Sequence, residues 1–407
     1  MSRFGLQSDE SILLLLCCRG DTSELERFCK SRRELHWESL LGRASVSGLA
    51  PLLYSRLNSV ASNGGVPGHV MEQLRMYYLF SAARNHVILS RLEQIVRLFA
   101  ARGIPVVLLK GAALLSLVYQ DLALRPMADV DLLVRREDLQ QAANLLCEMG
   151  LSPRKTRRSP EDYETGHHHW VPFASPDGLL VVELHRTIVP PRAQVGASVD
   201  DLWRRAEPIR LGTATVLTLC PSDLLLHLCI HASCNHLFTP SLRCVYDLSL
   251  TASSLAGTID WPNFIESARA WNAGRYVYCC LWLVQTLMPA PVPGTVIAAV
   301  LPPSALGGIE RRAMRGLALH MVLRPEQSRP VPSWLLQVVW DQVVGPLGPA
   351  GKAAIVWAAL WRGLVESARL TFPGLPKHLL VLYAALLHPL YLSGRAADSW
   401  AKRRFRA

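Results

Sequence analysis

The sequence predicts an α+β fold in which a small α/β unit lies between two helical regions. Residues 7 to about 60, and most residues after Pro191, carry apolar side chains at helical spacing. Between them, short β-branched runs alternate with amphipathic segments. Hydrophobic residues make up 50% of the 407 residues and charged residues 18%, a balance that excludes an intrinsically disordered chain.

The first region, residues 1–100, is predicted to consist of helices. The glycine- and proline-containing segment Ser62–Gly68 predicts a break. A long helix is expected from about Val70 to Arg102, and Gly103 is expected to end it. The apolar residues of this helix recur at intervals of three and four, which places them on one face: Ile88, Leu92, Ile95 and Phe99.

The second region, residues 101–190, is the predicted α/β unit. In chain order it reads as strand "IPVVLLK", helix "AALLSLVYQ", strand "ADVDLLV", helix "REDLQQAANLLCEMG" and a hairpin of "HHHWVPFA" and "LLVVELHRTIV" around the turn "SPDG". The order is therefore strand, helix, strand, helix, strand, strand.

The remaining chain is predicted to be helical over residues 191–300. Residues 301–407 are predicted to form a Pro/Gly-rich connection, further helices and a basic tail. No stretch reaches the roughly eighteen apolar residues of a membrane span. The apolar segment Leu379–Leu392 is shorter and is interrupted by His388 and Pro389. It fits a core or partner-facing helix, and a helix on a membrane surface remains open.

Charge and cysteine content narrow the class of protein. The net charge of +11 attracts anions, which include nucleotides, nucleic acid and acidic lipid, without choosing among them. The ten cysteines include adjacent pairs within apolar helical patterns, and no signal peptide is recognisable. These features predict buried thiols in a cytoplasmic protein. The fingerprints of α/β hydrolases, P-loop proteins and dinucleotide-binding proteins do not occur.

Two aspartates lie one residue apart in the apolar run "ADVDLLV". In a strand, Asp129 and Asp131 share a face, while the residues between and after them point into a core. Two carboxylates this close repel each other unless a cation binds between them or one of them is protonated, and Mg²⁺ prefers such oxygen ligands. Glu183, on another predicted apolar strand, is the candidate third acid. An exposed strand end, or salt bridges to Arg125 and Arg135, is the alternative interpretation.

Histidines form a second group of candidates. His227, His231 and Cys234 fall on one helical face, which admits zinc, but buried histidines or cleft-lining histidines are the favoured interpretation. By strand alternation, either His168 or His169 is expected to face the acids. His185 shares the face of Glu183, which makes it a candidate for orienting that group.

The stretch "LLKGAALLSLVYQDLALRPMADVDLLV" carries a resemblance. It is similar to the signature of nucleotidyltransferases of the polymerase-β superfamily. More narrowly, it resembles a bacterial family of uncharacterised nucleotidyltransferases, related to abortive-infection nucleotidyltransferases. The resemblance covers roughly residues 70 to 260. Ala112 departs from the broad pattern, which commonly has a second Gly or Ser, and the gap from Gly111 to Asp129 is longer than in the compact pattern.

The resemblance implies a small polymerase-β-like α/β domain with a mixed sheet, N-terminal helices before it and a larger helical region after it. It implies that Asp129, Asp131 and Glu183 hold two Mg²⁺ ions, with Mn²⁺ as a possible substitute. Lys110 and Gly111 match the phosphate-side turn, and Arg125 matches the basic residue before the metal strand. The residues matching the family's helical half are His227, His231, Arg243 and Asp247.

The function implied is transfer of a nucleoside monophosphate from an NTP to an acceptor, with release of pyrophosphate. The acceptor stays open among a small molecule, a peptide, a protein and RNA. Two other classes remain. One is a non-catalytic nucleotide- or partner-binding protein on the same fold, and the other is a peripheral membrane scaffold that uses residues 350–407.

Overall fold

The structure is a computed structural model of the whole chain. It describes residues 9–31, 35–60, 65–154, 163, 167–189, 195–238, 241–302, 305, 307–323, 340 and 344. The chain divides into two compact units, Met1–Ser328 and Arg329–Ala407. The apolar segment Leu379–Leu392 and the basic tail lie outside the described residues. All elements below belong to the first unit.

Helices fill the N-terminal region, which confirms the prediction. They are α1 (Asp9–Arg19), α2 (Thr22–Ser31), α3 (Trp37–Val46), α4 (Ala50–Asn58) and the long α5 (Gly68–Ala101). The predicted apolar face of α5 is buried. Gly103 ends this helix with a positive φ of 72°, a conformation that glycine adopts without strain. The amide of Ile104 donates to the carbonyl of Phe99 at 2.9 Å and closes the last turn.

A seven-stranded mixed sheet follows. Its strands are β1 (Val106–Leu108), β2 (Val130–Val134), β3 (Ser152–Pro153), β4 (Phe173–Ala174), β5 (Val181–His185), β6 (Glu207–Leu211) and β7 (Ala214–Thr218). Their order across the sheet is β3-β4-β5-β2-β1-β7-β6. The strands β2 and β5 run parallel, as do β1 and β7, and the remaining neighbours are antiparallel.

The centre of the sheet is buried on both faces. All residues of β1 and β2 are buried, which accounts for their nearly continuous apolar sequence. In that setting a carboxylate is expensive to bury unless it has partners. The parallel register of β2 and β5 pairs Asp131 with Glu183, so the two acids lie side by side.

One hairpin corrects the sequence-based prediction. Residues 191–300 were expected to be helical, but they contain β6 and β7, which pair with each other and join the sheet through β1. Most residues of β6 are exposed or half-buried, so its apolar alternation is weak. Gly212, with a positive φ of 58°, provides the turn between the strands.

Helices pack around the sheet and continue after it. They are α6 (Lys110–Leu117), α7 (Leu139–Glu148), α8 (Val199–Arg205), α9 (Pro221–Ile230), α10 (Ser241–Ser254), α11 (Trp261–Ala270), α12 (Gly274–Leu287), α13 (Gly294–Val300) and α14 (Gly308–Leu323). Ser222 lies inside α9, and its hydroxyl binds the backbone of Asp260. A π-helical turn, His231–Asn235, directly follows α9.

Two further observations bear on the sequence-based expectations. No disulfide joins any of the ten cysteines, all of which lie in the described residues, and seven of them are buried. None of the helices in the described part of the chain combines the length and apolar character needed to cross a membrane.

Candidate active site

Three carboxylates from two neighbouring strands form what we call the acid wall: Asp129, Asp131 and Glu183. Asp131 lies inside β2 and is 2% exposed, whereas Asp129 directly precedes the strand. Glu183 comes from β5, in register with Asp131. The burial of Asp131 excludes the alternative of an exposed strand end.

Asp131 is held by two buried donors. Its Oδ1 lies 2.7 Å from Nζ of Lys110 and 2.7 Å from Nε2 of His185. Burial raises the pKa of Asp131, but the Lys110 ammonium and the His185 hydrogen bond outweigh it and hold the pKa well below its usual value. Asp131 is therefore a carboxylate in the folded protein.

Asp129 has the opposite environment. Burial, and after it the negative charges of Asp131 and Glu183, raise the pKa of its carboxyl from 3.8 to about 6. The acid wall thus carries more negative charge than Lys110 balances. A carboxylate set of this kind fits a hard divalent cation, which relieves the repulsion.

Glu183 is in contact with two imidazoles. Its Oε2 lies 3.6 Å from Nε2 of His185 and 3.8 Å from Nε2 of His169. Burial raises the pKa of Glu183, but the contact with His185 and the neighbouring His169 together outweigh burial and lower the pKa. Nδ1 of His169 lies 2.7 Å from the carbonyl of Trp170, so that nitrogen donates and Nε2 faces Glu183 as an acceptor.

The donor atoms of three side chains converge closely enough to hold a metal ion. In the described residues, Asp131, Glu183 and His185 offer ligand atoms within 4.8 Å of one another. His185 already directs Nε2 at Asp131, and its fully buried Nδ1 has no hydrogen-bond partner among those residues. This geometry fits His185 as the residue that orients Asp131, with the carboxylates as the metal-facing groups.

The turn between β1 and α6 places a cation and a helix N-terminus beside the acid wall. Lys110 is the first residue of α6 and has a φ of 42°, the left-handed region that a side chain rarely adopts. Gly111 follows it, and an added Cβ there would lie 2.7 Å from Nη1 of Arg125. Only glycine therefore lets the helix start approach that guanidinium.

Arg125 is bound by a residue more than a hundred positions away. Its Nη2 lies 3.1 Å from Oδ2 of Asp247, and its Nε lies 3.2 Å from Oδ1 of the same carboxylate. The hydroxyl of Tyr119 donates to Oδ1 of Asp247 at 2.6 Å. The alternative salt bridges from the aspartate pair to Arg125 and Arg135 are wrong, because Arg125 pairs with Asp247 and Arg135 stacks on Trp203.

Asn85 of α5 clamps the segment that leads to the aspartates. Its amide nitrogen donates to the carbonyls of Leu122 at 2.6 Å and Arg125 at 2.8 Å, and its oxygen accepts from the amide of Met127 at 3.2 Å. Sequence reasoning missed Asn85. A signal was present, since Asn85 continues the buried stripe that includes Ile88, and a polar residue there needs partners.

These groups line a cavity of about 510 Å³. Its wall contains Lys110, Gly111, Arg125, Asp129, Asp131, His168, His169, Glu183, His231, Arg243 and Asp247 from the sequence-based candidates. His185 and His227 do not line it and are fully buried. Lining residues that the sequence did not single out are Pro126, Met127, Ala128, His167, Leu228, Ala232, Asn235, His236 and Cys244.

The side of the cavity formed by α9, the π-helical turn and α10 is called the helical wall, and consists of His231, His236, Arg243 and Asp247. The rings of His231 and His236 lie 4.2 Å apart. Burial lowers the pKa of both histidines, and the Lys110 charge lowers it further. Arg243 donates to the carbonyl of Pro126 at 2.9 Å, which ties this wall to the segment before Asp129.

Comparison with known proteins gives one match. The model of a family described as "Uncharacterised nucleotidyltransferase" matches residues 33–289, well over half of the chain. The chain therefore belongs to this family of nucleotidyltransferases, and membership supports nucleotidyl transfer as its general activity. The matched range includes every residue of the acid wall and of the helical wall. No curated protein and no solved structure matches the chain.

Proposed function

We propose that this chain is a divalent-metal-dependent nucleotidyltransferase, which moves a nucleoside monophosphate from an NTP to an acceptor and releases pyrophosphate. One observation carries the proposal. Two neighbouring parallel strands bring three carboxylates to one cavity, whose wall also holds a lysine at a helix N-terminus. Carboxylates bind a divalent cation, and the N-terminus of a helix binds phosphate. The cavity therefore offers one site for the metal and one for the triphosphate of a metal–triphosphate complex.

The acid wall is the proposed metal site. Asp129, Asp131 and Glu183 would hold Mg²⁺, with Mn²⁺ as a substitute, and the bound cation would stabilise charge on the transferring phosphoryl group. Two ions are proposed because the three negative charges of the carboxylates exceed the two positive charges of a single ion. His185 keeps Asp131 oriented through its 2.7 Å contact. Since such catalysis is mostly positioning and electrostatics, this fixed geometry is what the protein contributes.

The turn at the start of α6 is the proposed triphosphate site. Lys110 and Gly111, the first two residues of α6, line the cavity, and Nη1 of Arg125 lies close to Gly111. The start of a helix is a favourable place for the negative charge of a phosphate. Asp247 binds the opposite edge of the Arg125 guanidinium and fixes its plane. We propose that Lys110 and Arg125 neutralise triphosphate charge.

The acceptor is proposed to approach from the Glu183 side. Glu183 has a lowered pKa and is ionised, and His169 presents Nε2 as an acceptor 3.8 Å from it. A hydroxyl that binds there meets two groups able to take its proton. The proposed fold is polymerase-β-like, because the mixed sheet carries Asp131 on β2, directly after Asp129, and the third acid on the neighbouring strand β5.

The experiment is nucleotide transfer from four α-³²P-labelled NTPs. Purified protein is incubated with each NTP, Mg²⁺ and a fractionated cell extract as the source of acceptors, and labelled products and pyrophosphate are measured. We expect label transfer with pyrophosphate release, and loss of both in Asp131→Asn. NTP binding without transfer by any fraction would favour the non-catalytic nucleotide-binding alternative. Equal labelling by Asp131→Asn would contradict the proposal.

A further inference from the structure

Lys110 has two roles in the proposed site, and the two conflict. It is the proposed phosphate ligand, and its ammonium is also in contact with Asp131, a proposed metal ligand, at 2.7 Å. A divalent cation and an ammonium at the same carboxylate oxygen repel each other strongly, since both are positive and little water screens them. Lys110 and the cation therefore compete for Asp131.

The contact is well protected from solvent. The side chain of Lys110 is 13% exposed and that of Asp131 is 3% exposed. The same Oδ1 also accepts from His185, so two donors saturate the face of this oxygen. Removing one partner from a buried ion pair is costly unless the freed charge finds a new partner.

The backbone supplies a reason for this placement. Lys110 adopts a φ of 42° at the junction of β1 and α6. The amide of Leu109 donates to the carbonyl of Asp131 at 3.1 Å, so the residue before Lys110 is fixed to β2 itself. Strain of this kind persists only where neighbours over-determine the chain, and it is concentrated at functional sites. Here the constrained backbone keeps the side chain of Lys110 beside both the acid wall and the N-terminus of α6.

From these contacts we propose that Lys110 is an exchangeable counter-ion that couples metal binding to nucleotide binding. Lys110 neutralises Asp131 until phosphate oxygens at the start of α6 take up its ammonium. Asp131 then becomes available to a divalent cation. The inference rests on the proposed function and adds to it that metal and nucleotide bind as a coupled pair, with metal alone binding weakly.

The coupling predicts effects of opposite sign when the ammonium is removed. In Lys110→Met, Asp131 has lost its internal cation, so metal alone binds more tightly. The same variant lacks a phosphate partner, so the metal–triphosphate complex binds more weakly. A general disturbance of the site would weaken the binding of metal alone and of the metal–triphosphate complex. Changes of opposite sign in these two affinities therefore distinguish the coupling from such a disturbance.

The experiment measures Mn²⁺ alone by electron paramagnetic resonance of the free ion, and Mn²⁺–tripolyphosphate by calorimetry. Tripolyphosphate replaces NTP because the base is unidentified. Wild type, Lys110→Met, Lys110→Arg and Lys30→Met are compared. Lys30 pairs with Glu26 on exposed α2 and serves as a matched control for loss of a lysine.

We expect Lys110→Met to bind Mn²⁺ alone about tenfold more tightly than wild type and the complex about tenfold more weakly, the usual range of coupling between sites. Lys30→Met should resemble wild type, and Lys110→Arg, which keeps a positive charge beside Asp131, should not bind Mn²⁺ alone more tightly than wild type. Unchanged or weaker binding of Mn²⁺ alone in Lys110→Met overturns the inference while leaving the metal site in place. Absence of binding of Mn²⁺ and of the complex in wild type and Lys110→Met alike contradicts the proposed function as well.

Discussion

The two walls of the cavity treat charge in opposite ways. On the acid wall, three carboxylates face one lysine, and mutual repulsion contributes to raising the pKa of Asp129 to about 6. On the helical wall, the one carboxylate, Asp247, is neutralised by Arg125 from the segment before Asp129, and the hydroxyl of Tyr119 donates to the same carboxylate. The histidines of that wall are neutral, because burial lowers their pKa.

This difference distinguishes residues that bind a ligand from residues that stabilise the structure around it. The acid wall retains negative charge that protein groups do not balance, and such a surface is stabilised by a cation from solution. The helical wall has one carboxylate, Asp247, which is paired with Arg125, and it fixes the segment before Asp129 through Arg243 and Asp247. Substitutions in the acid wall should therefore affect ligand binding more than stability, and those in the helical wall the reverse.

The largest effect is expected for Asp131→Asn. The amide keeps the shape of the side chain but removes the charge that would bind a cation, so nucleotide transfer should fall by about 1,000-fold. Asp129→Asn should also abolish transfer. Thermal unfolding checks that the fold survives, and Asp177→Asn in the exposed β4–β5 turn is the matched control. Full activity in either aspartate variant would remove the metal site from the mechanism.

The next effect is on stability and lies in the helical wall. Asp247→Asn leaves the buried Arg125 guanidinium without a counter-charge, so the free energy of unfolding should decrease by about 3 kcal/mol. Urea unfolding of Asp247→Asn, Arg125→Met and the double variant measures it. The double variant should recover part of the loss, because no unpaired charge remains. Additive losses would mean that the two groups are not coupled.

A smaller effect concerns pH and His227, which is fully buried behind the helical wall. Burial lowers the pKa of His227 from 6.5 to about 3. Below pH 6.5, His227 becomes protonated in the unfolded chain but stays neutral in the folded protein. The free energy of unfolding therefore decreases as pH falls. The loss from pH 7 to pH 5 should be about 2 kcal/mol. His227→Leu should lack this part of the pH dependence, and an unchanged pH profile would contradict it.

The smallest effect has the opposite sign and lies in the acid wall. Because the pKa of Asp129 is raised to about 6, the folded protein holds this proton more firmly than the unfolded chain does. Stability from this group is lost as pH rises through the interval from about 4 to about 6. At pH 7 the raised pKa corresponds to at most about 3 kcal/mol. Because burying the neutral amide offsets part of this gain, Asp129→Asn in chelator-treated buffer should be more stable than wild type by about 1–2 kcal/mol. A variant less stable than wild type would mean that the acid wall carries no repulsion.

The sequence was informative about the acid wall because its signals are local. Alternation in "ADVDLLV" predicted a buried strand with an acid on it, and "VVELH" predicted a second one. The pairing of Asp131 with Glu183 joins residues far apart in sequence, and the order of the strands was enough to suggest it. The roles of these residues in catalysis stay predictions.

The helical wall was less predictable because its contacts are non-local. Arg125 and Asp247 are separated by 122 residues, and nothing near either one indicates the pairing. The assignment of Asp247 came from the resemblance alone, whereas His231 was also indicated by the helical face that it shares with His227 and Cys234. Asn235 is the last residue of the π-helical turn after α9, and His236 follows that turn. Leu237 and Phe238, which come next, have positive φ values of 50° and 57°. Helical periodicity does not extend through such a backbone.

The most direct test of the acid wall as a metal–nucleotide site is calorimetric titration of the four NTPs with and without Mg²⁺. Wild type is compared with the double variant Asp129→Asn/Asp131→Asn, after both have been shown to unfold cooperatively. We predict that at least one NTP binds wild type only when Mg²⁺ is present, and that the double variant loses this binding. Mg²⁺-dependent binding that survives in the double variant would contradict the assignment of the aspartates.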